Sequence, residues 1–348
     1  MRWFLICIFV SLPWSAMSET WSLQVPNTPF DYQSGSDTLL YTPLTKASKN
    51  WKMCVSYPHL KDAYWLSVNF GMVEEAQRLG VSFRLVEAGG YPNLQRQIDQ
   101  IEECVSDGAD ALIVGTVSFD GLTESLERIS RSIPVIAAVN DIADKGVTAK
   151  SGVSWEEMGS VTGKILADLH PKGSEPVRVA WFPGPKGAGW VTFVEKGFRT
   201  AIEDSSAEIV VTKFGDTGRE IQVLLVEEAL DEHPDIDYIV GSAPTAEATV
   251  SILRARGLQD KVGIISDYMT HAVYRGIRRD RIIAAPSDLP ILQGRLALEQ
   301  AVRALEGTLE IKHAGPAIKV FSNETLSKHK LEETLAPATF VPVFELSQ

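Results

Sequence analysis

The chain has 348 residues and a formal net charge of −12, with 45 % apolar and 22 % charged residues. This length predicts about two domains, and the composition is that of a folded globular protein, which excludes a disordered chain. The negative charge argues against binding to nucleic acid or to an anionic membrane surface, because both repel an acidic protein.

The first 18 residues, MRWFLICIFVSLPWSAMS, have the pattern of a secretory signal peptide. Arg2 gives a positively charged start, an apolar run follows, and residues 16–18 form a small-residue cleavage site. Pro13 interrupts the apolar run before it reaches the length of about 18 residues that a membrane-spanning helix needs. The sequence therefore predicts export and removal of residues 1–18, followed by a lead-in without strong periodicity over 19–50.

Short apolar, β-rich segments then recur at regular spacing in two series. The first series begins at residues 52, 82, 111 and 134, and the second at residues 178, 208, 237 and 262. Each interval contains a segment with helical periodicity; in the first interval Trp65, Met72 and Leu79 share one face, and Gly80 follows as a stop. Strands that alternate with helices in this way form βαβ units. The two series predict an α/β protein with two doubly wound parallel-sheet domains.

After the eighth predicted strand the chain contains more elements than a second domain needs. A helix over 270–279, a strand over 282–285, a long helix over 289–305 and a strand over 318–321 follow. We interpret them as a return to the first domain, which requires three crossovers, near 148–156, 285–290 and 314–319. The predicted division is a first domain of 51–150 plus 288–315, a second domain of 151–287 plus 316–330, and a tail of 331–348.

Two cysteines, Cys54 and Cys104, remain after removal of the signal peptide. Cys54 lies at the start of the first strand of the first series, and Cys104 lies in the last turns of the second helix. In a right-handed βαβ unit these two places meet at the same edge of the sheet, and exported proteins form disulfides. We predict a Cys54–Cys104 disulfide; the alternative is a pair of buried free thiols.

Motifs that carry enzyme chemistry are absent from the sequence. It contains no GxSxG, HExxH, CxxC or P-loop, and its six histidines have no partners at metal-site or catalytic-triad spacing. The glycine-rich segment 184–189 lies between a strand and a helix, which is compatible with a tight turn or with an anion-binding loop. We therefore predict no enzyme activity, no catalytic residue, no cofactor and no metal site.

Aromatic and polar side chains gather where the predicted strands end. In a doubly wound sheet, ligands bind at the loops beyond the carboxyl ends of the strands. Aromatic rings in such a cleft stack on sugars or surround an alkylated cation. The alternative is that some of these rings only pack against the helix that follows them. The candidate ligand-binding residues are Tyr57, Tyr64, Trp65, Tyr91, Asn140, Asp141, Trp155, Trp190, Asp267 and Tyr268.

Several segments resemble the type I periplasmic binding proteins of the ribose-binding kind. They are DGADALI at 107–113, IPVI at 133–136 and ISD at 265–267, within a resemblance that spans residues 50–322. YPHLKDAYWLS at 57–67, EAGGY at 87–91 and HAVYRG at 271–276 resemble more closely a branch of this family that serves a sensor of trimethylamine N-oxide (TMAO). The resemblance implies a periplasmic protein that binds TMAO between its domains and forms a complex with the periplasmic domain of a membrane sensor histidine kinase.

Two departures from the sugar-binding pattern bear on the ligand. Trp190 stands near the place of an arginine that binds sugar hydroxyls, and Asn140-Asp141 replaces an Asp-Arg pair. The loss of guanidinium donors argues against a polyhydroxylated sugar. Rings suit the methyl groups of TMAO, indole or phenol donors suit its oxygen, and Asp141 or Asp267 is expected to face its positive nitrogen. The alternative function is a receptor that delivers a sugar or a small amphiphile to an ABC transporter.

Overall fold

The structure, a computed structural model, describes residues 20–348. The predicted signal peptide of residues 1–18 lies outside the described residues. Among the residues described, no helix is long and apolar enough to cross a membrane, and no group of three or more His, Cys, Asp or Glu side chains is placed to hold a metal ion.

Strands and helices alternate along most of the described chain. The first part contains β1 (Trp21–Thr28), β2 (Asp31–Tyr41), β3 (Lys52–Tyr57), α1 (Ala63–Leu79), β4 (Ser82–Glu87), α2 (Leu94–Ser106), β5 (Ala111–Val114), α3 (Thr123–Ile129), β6 (Val135–Ala138) and β7 (Ala149–Ser151). The middle part contains α4 (Trp155–Leu169), β8 (Val177–Gly184), α5 (Gly189–Ile202), β9 (Ala207–Phe214), α6 (Arg219–Glu232), β10 (Tyr238–Gly241), α7 (Ala243–Arg256), β11 (Gly263–Ser266), α8 (His271–Ile277) and β12 (Ala284–Ser287). The last part contains α9 (Pro290–Leu305), β13 (His313–Pro316), β14 (Lys319–Ser322) and β15 (Glu345–Leu346).

The strands form two sheets, each the centre of one domain. The first has the order β15-β4-β3-β5-β6-β7-β13-β1-β2 and the second β14-β12-β11-β10-β8-β9. Strands β4 to β13 of the first order and β12 to β9 of the second are parallel, whereas β15, β1, β2 and β14 pair antiparallel at the edges. The predicted architecture of two doubly wound parallel-sheet domains is confirmed, with antiparallel edge strands added.

The eight strands of the two predicted series are β3, β4, β5 and β6, then β8, β9, β10 and β11, and each begins within one residue of its predicted start. Continuous apolar runs such as ALIV in β5 and VIAA in β6 are buried throughout. That burial is the pattern of parallel strands covered by helices on both faces. Helix α1 ends as predicted at Gly80, whose φ of 75° is left-handed.

The chain passes between the two sheets three times. The passages lie between β7 and β8, between β12 and β13, and between β13 and β14. The predicted lead-in contains the β1–β2 hairpin, which joins the first sheet through β13, and the predicted tail contains β15, which pairs with β4. Both segments therefore extend the first sheet. Their backbone N–H and C=O groups are satisfied by pairing with strands that are distant in sequence, and local periodicity does not reveal such pairing.

Cys54 and Cys104 form a disulfide, with Cα atoms 5.9 Å apart, which confirms the predicted pair. Both cysteines are buried in the apolar cluster beneath α2 and α3. The bond joins β3 to α2 at the amino edge of the first sheet, away from the loops that follow the strands.

Candidate functional site

A small cavity lies between the two domains, at the carboxyl ends of their strands. The space between its atoms, including the solvent at its open side, is about 250 Å³. The first domain supplies the lining residues Asp62, Tyr64, Trp65, Tyr91 and Asn140, and the second supplies Trp155, Trp190, Thr217 and Tyr268. Each of these residues follows a strand or opens a helix, which is where doubly wound folds bind ligands.

Two tryptophans from the second domain meet because two helices pack unusually closely. Trp155 opens α4 and Trp190 lies in the first turn of α5, with ring centroids 5.0 Å apart. A Cβ added at Gly159 of α4 would lie 2.0 Å from a backbone oxygen of α5, and one at Gly197 of α5 would lie 1.9 Å from the backbone oxygen of Glu156. Only glycine fits at these contacts, so the two helix starts converge and bring the indoles together.

The first domain contributes a matching group of rings. Tyr64 and Trp65 stand in the first turn of α1, where Asp62 caps the helix by accepting a hydrogen bond from the Tyr64 backbone N–H at 2.9 Å. The Tyr64 ring lies edge-on to Tyr268 of the second domain, with centroids 5.4 Å apart. Tyr91 faces Trp190 across the domain boundary at 6.2 Å. The cavity is thus enclosed by six aromatic residues, a box suited to methyl groups or an alkylated cation.

Several polar atoms of these rings are already occupied by protein groups. The Tyr64 hydroxyl donates to Asp288 Oδ2 at 2.6 Å, and the Trp155 indole N–H donates to the Val139 carbonyl at 3.0 Å. The Tyr268 hydroxyl donates to Asp62 Oδ2. Those rings consequently present apolar faces to the cavity, while their hydroxyl or N–H groups hold the protein together.

Donor groups of Trp190 and Tyr91 are left for a ligand. The buried indole N–H of Trp190 has no hydrogen-bond partner. The Tyr91 hydroxyl accepts a hydrogen bond from Asn140 Nδ2 at 3.0 Å, which leaves its own hydrogen free to donate. Burial raises the pKa of the Tyr91 phenol, and Asn140 and the indoles of Trp190 and Trp65 partly offset that rise. The indole N–H of Trp190 and the hydroxyl of Tyr91 therefore lie near one point of the wall, where an acceptor oxygen would be stabilised.

Asp62 is the carboxylate of the cavity wall. Burial raises its pKa to about 6, and the hydrogen bonds from Tyr268 and from the Tyr64 backbone oppose that rise. The group is therefore mostly ionised at neutral pH. Its two oxygens join the two domains, because Oδ1 caps α1 of the first domain and Oδ2 accepts from the second.

Three of the ten candidate ligand-binding residues lie outside the cavity lining. Tyr57 packs under Trp65, with centroids 4.7 Å apart, and its hydroxyl contacts the Met72 sulfur. Asp141 is buried behind the wall, where burial raises its pKa to about 7 and Lys150 partly offsets the rise. Asp267 is buried with no hydrogen-bond partner on either carboxylate oxygen, and burial raises its pKa well above the usual range. The other seven candidates line the cavity.

Sequence reasoning missed Asp62 and Thr217 as lining residues, and Asp288 as the partner of Tyr64. A signal existed for two of them. Asp62 directly precedes the aromatic pair at a helix start, and Thr217 follows β9 at the carboxyl edge of the second sheet. Asp288 lies in the passage between the domains, and nothing local indicated its contact with a tyrosine 224 residues away.

The fold and the interdomain cavity define a two-domain binding protein of the periplasmic type. A family model of periplasmic binding proteins and the sugar binding domain of the LacI family matches residues 50–339. The chain belongs to this family, which confirms the resemblance found in the sequence.

Particular relatives are close. Periplasmic protein TorT of Escherichia coli (strain K12) is 41 % identical over 306 residues, which cover 87 % of this chain and 86 % of that protein. A crystal structure of the complex of TorT with the TorS sensor domain in the presence of TMAO matches with a TM-score of 0.78 and 41 % identity, covering 85 % of this chain and 100 % of that one.

A second solved structure is also similar. An ABC transporter solute binding protein from Bradyrhizobium sp. BTAi1, with bound bis-tris, is 48 % identical and has a TM-score of 0.79. The match covers 93 % of this chain and 98 % of that one.

Proposed function

We propose that this protein is a periplasmic receptor that binds TMAO in the interdomain cavity and signals through a complex with the periplasmic domain of a membrane sensor histidine kinase. The observation that carries the ligand assignment is the division of polar groups among the aromatic residues. The hydroxyl or indole groups of Tyr64, Trp155 and Tyr268 bond to protein atoms, whereas the donors of Tyr91 and Trp190 remain for the ligand.

TMAO matches this division. Its methyl groups are apolar and surround a formally positive nitrogen, which suits ring faces through cation–π attraction of roughly 0.5–2 kcal/mol per contact. Its oxygen is a strong acceptor and suits the donors of Trp190 and Tyr91. A polyhydroxylated sugar needs many donors and acceptors, and no arginine or lysine of the described residues lines this cavity.

We assign to Asp62 the role that the sequence analysis gave to Asp141 or Asp267, which is to face the positive nitrogen of TMAO. It is the carboxylate that lines the cavity, and it is mostly ionised at neutral pH. A carboxylate near the methyl groups attracts the positive end of the ligand without a hydrogen bond. Asp141 and Asp267 lie behind the lining, so we assign them no direct contact.

The partner assignment draws on the relatives. TorT, 41 % identical to this chain, has been crystallised with the TorS sensor domain both without ligand and with TMAO. Because that complex exists with and without ligand, it supports a receptor that signals by a change of shape and not by binding to or leaving the sensor. Two domains around one closed cavity supply such a change of shape.

The Bradyrhizobium relative favours a second candidate, a receptor that delivers a small solute to an ABC transporter. That protein is named an ABC transporter solute binding protein and holds bis-tris, a tertiary amine with hydroxyl groups. The aromatic box would accept the amine in the same manner. The two candidates differ in the partner and in the ligand they prefer.

We infer binding and not catalysis at this cavity. Thr217 Oγ1 lies 2.9 Å from His59 Nε2, and Asp216 Oδ1 lies 3.9 Å from that same nitrogen. In a nucleophile–histidine–carboxylate triad the carboxylate holds the other ring nitrogen. Here His59 Nδ1 has no partner, so the arrangement does not orient the ring as a general base.

Calorimetric titration of the mature protein tests the ligand. We expect heat with TMAO and none with ribose; heat with bis-tris and not TMAO would favour the transporter candidate. Alanine replacement of Trp65, Tyr91 or Trp190 is expected to weaken TMAO binding about tenfold or more, because each contact contributes roughly 1–2 kcal/mol. Trp51→Ala is the matched control, since Trp51 precedes β3 at the amino edge of the sheet. Unchanged affinity in all three cavity variants would refute the aromatic box.

Titration in the presence of the purified periplasmic domain of the sensor kinase tests the partner. Ligand and partner that prefer the same domain arrangement change each other's affinity, typically by roughly 5- to 150-fold. If the complex forms but TMAO binds with the same affinity with and without the sensor domain, the complex does not sense the ligand.

A further inference from the structure

His59 joins the two domains at the edge of the cavity. It lies in the loop between β3 and α1, and its side chain is completely buried. Its Nε2 is 2.9 Å from Oγ1 of Thr217, a lining residue in the second domain. Its ring stands edge-on to Tyr91, with centroids 5.6 Å apart. One side chain thus contacts a ligand-facing ring of its own domain and the wall of the opposite domain.

The Thr217 end of this contact is firmly attached to the second domain. The Thr217 backbone N–H donates to Asp216 Oδ1 at 3.0 Å, and Gln222 Nε2 of α6 donates to the Asp216 carbonyl at 2.9 Å. Gln222 Oε1 in turn accepts from the Thr245 hydroxyl of α7 at 2.7 Å. The loop that carries Thr217 is therefore tied to two helices, so a contact with Thr217 acts on the domain as a whole.

We propose that His59 is a positioning residue that couples domain closure to ligand binding, and that it does so only as a neutral imidazole. The proposal rests on the proposed function, because it takes the aromatic cavity as the ligand site. When the domains close, the His59–Thr217 contact forms and His59 supports Tyr91 beside the ligand. When they open, the contact is lost and the ring is hydrated.

The surroundings of the ring explain the requirement for the neutral form. His59 Nδ1 is buried without a partner, so a second proton there would create a charged donor with no acceptor. The groups that face the ring are Lys61 on its own loop, Asp216 on the opposite loop and the Tyr91 phenol. Burial lowers the pKa of His59 to about 4; Lys61 acts in the same direction, and Asp216 opposes both.

The sign of the pH effect follows from linkage. In the open form the hydrated ring has its ordinary pKa of 6.5, and in the closed form its pKa is about 4. As the pH falls below 6.5, the open form takes up a proton that the closed form does not, so closure and ligand affinity weaken until about pH 4. At pH 5 a lowering of this size corresponds to a loss of affinity of roughly tenfold or more from this residue.

Asp62 contributes the opposite trend, because closure raises the pKa of its carboxyl to about 6 and acid therefore favours the closed form through this group. The informative quantity is consequently the ratio of TMAO affinities between the wild type and His59→Gln. Asp62 and every other titrating group are common to both proteins. We expect that ratio to change by roughly tenfold or more between pH 8 and pH 5. A ratio independent of pH would overturn the proposal.

The matched control is His170→Gln. His170 also uses Nε2 in a hydrogen bond, to the Tyr238 hydroxyl at 2.7 Å, but it lies at the far edge of the second domain. The ratio of TMAO affinities between the wild type and His170→Gln should not change with pH. Thr217→Val removes the partner hydroxyl and is expected to weaken TMAO binding at pH 8 by roughly 2- to 13-fold, the range for a neutral hydrogen bond. If His59→Gln fails to fold by circular dichroism, unchanged affinity in Thr217→Val would overturn the proposal.

A ligand-free measurement separates this proposal from the proposed function. If the wild type binds no TMAO at any pH, the proposed function fails. Spin labels at the exposed positions Gln95→Cys and Glu220→Cys, one in each domain, then report closure directly. We expect the label distance to lengthen from pH 8 to pH 5 in the wild-type background and to stay constant with His59→Gln. The same distance change in both backgrounds, or none in either, would overturn the role of His59.

Discussion

Removal of one hydroxyl group, in Tyr268→Phe, tests whether closure of the cavity stabilises the bound ligand. The Tyr268 hydroxyl donates to Asp62 Oδ2 across the domain boundary, so this hydrogen bond exists only when the domains are closed. The substitution keeps the ring that lines the cavity and its edge-on contact with Tyr64. It therefore changes the free energy of closure with little change in the shape of the site.

The expected magnitude depends on the charge of Asp62. Its pKa of about 6 makes it mostly ionised at pH 7.5, and a hydrogen bond to a charged group contributes about 1.5–3 kcal/mol. The loss should weaken TMAO binding roughly 10- to 150-fold, at about 1.4 kcal/mol per factor of ten. Well below the pKa of Asp62 the carboxyl is neutral, the bond contributes about 0.5–1.5 kcal/mol, and the loss should shrink to roughly 2- to 13-fold.

Titration calorimetry at pH 7.5 and pH 5 measures both effects. Tyr238→Phe is the matched control, because its hydroxyl is also hydrogen-bonded, at 2.7 Å to His170, and lies at the amino end of β10 away from the cavity. Thermal unfolding of each variant verifies that the fold is intact. Wild-type affinity for Tyr268→Phe at both pH values would refute the inference that the Asp62–Tyr268 bond holds the closed state.

Three further predictions concern covalent and backbone features. Cys54→Ser removes the disulfide, which closes a loop of about 50 residues. The substitution should lower the free energy of unfolding by on the order of 4 kcal/mol in the chain-entropy model, as measured by denaturant titration. Reduced wild type is the control, and its stability should be equally low. Gly90→Ala should weaken TMAO binding in calorimetry, because Gly90 has a φ of 145° and its new Cβ would lie 2.8 Å from Asp216 of the opposite domain; unchanged affinity would contradict closure at this point. Gly159→Ala should lower both the melting temperature and the TMAO affinity, because the new Cβ would force α4 away from α5 and separate the indoles of Trp155 and Trp190. A lower melting temperature with normal affinity would show that TMAO binding does not need this indole pair.

Much of the site could be predicted because the rule that locates it is local. Side chains that directly follow strands of a doubly wound sheet lie at its carboxyl edge, and seven of the ten candidates chosen by that rule line the cavity. The rule gives position along the chain but not the direction of a side chain. Tyr57 at the end of β3 turns into the core beneath Trp65, and Asp267 after β11 is buried behind the lining. Direction depends on the neighbours that pack around each residue.

The sequence by itself determined the elements, their order and the two-domain α/β class, because hydrophobic periodicity and stop residues such as Gly80 act within a few residues. It also predicted the cysteine pair, whose partners meet through the geometry of one βαβ unit, and the structure confirmed the bond. Only the tertiary structure decided which groups face the ligand and which hold the domains together. The bond between Asp62 and Tyr268 joins residues 206 apart, and the contact of Trp155 with Trp190 depends on glycines that let two helices approach. Such contacts form when whole domains pack and close, and no local pattern records them.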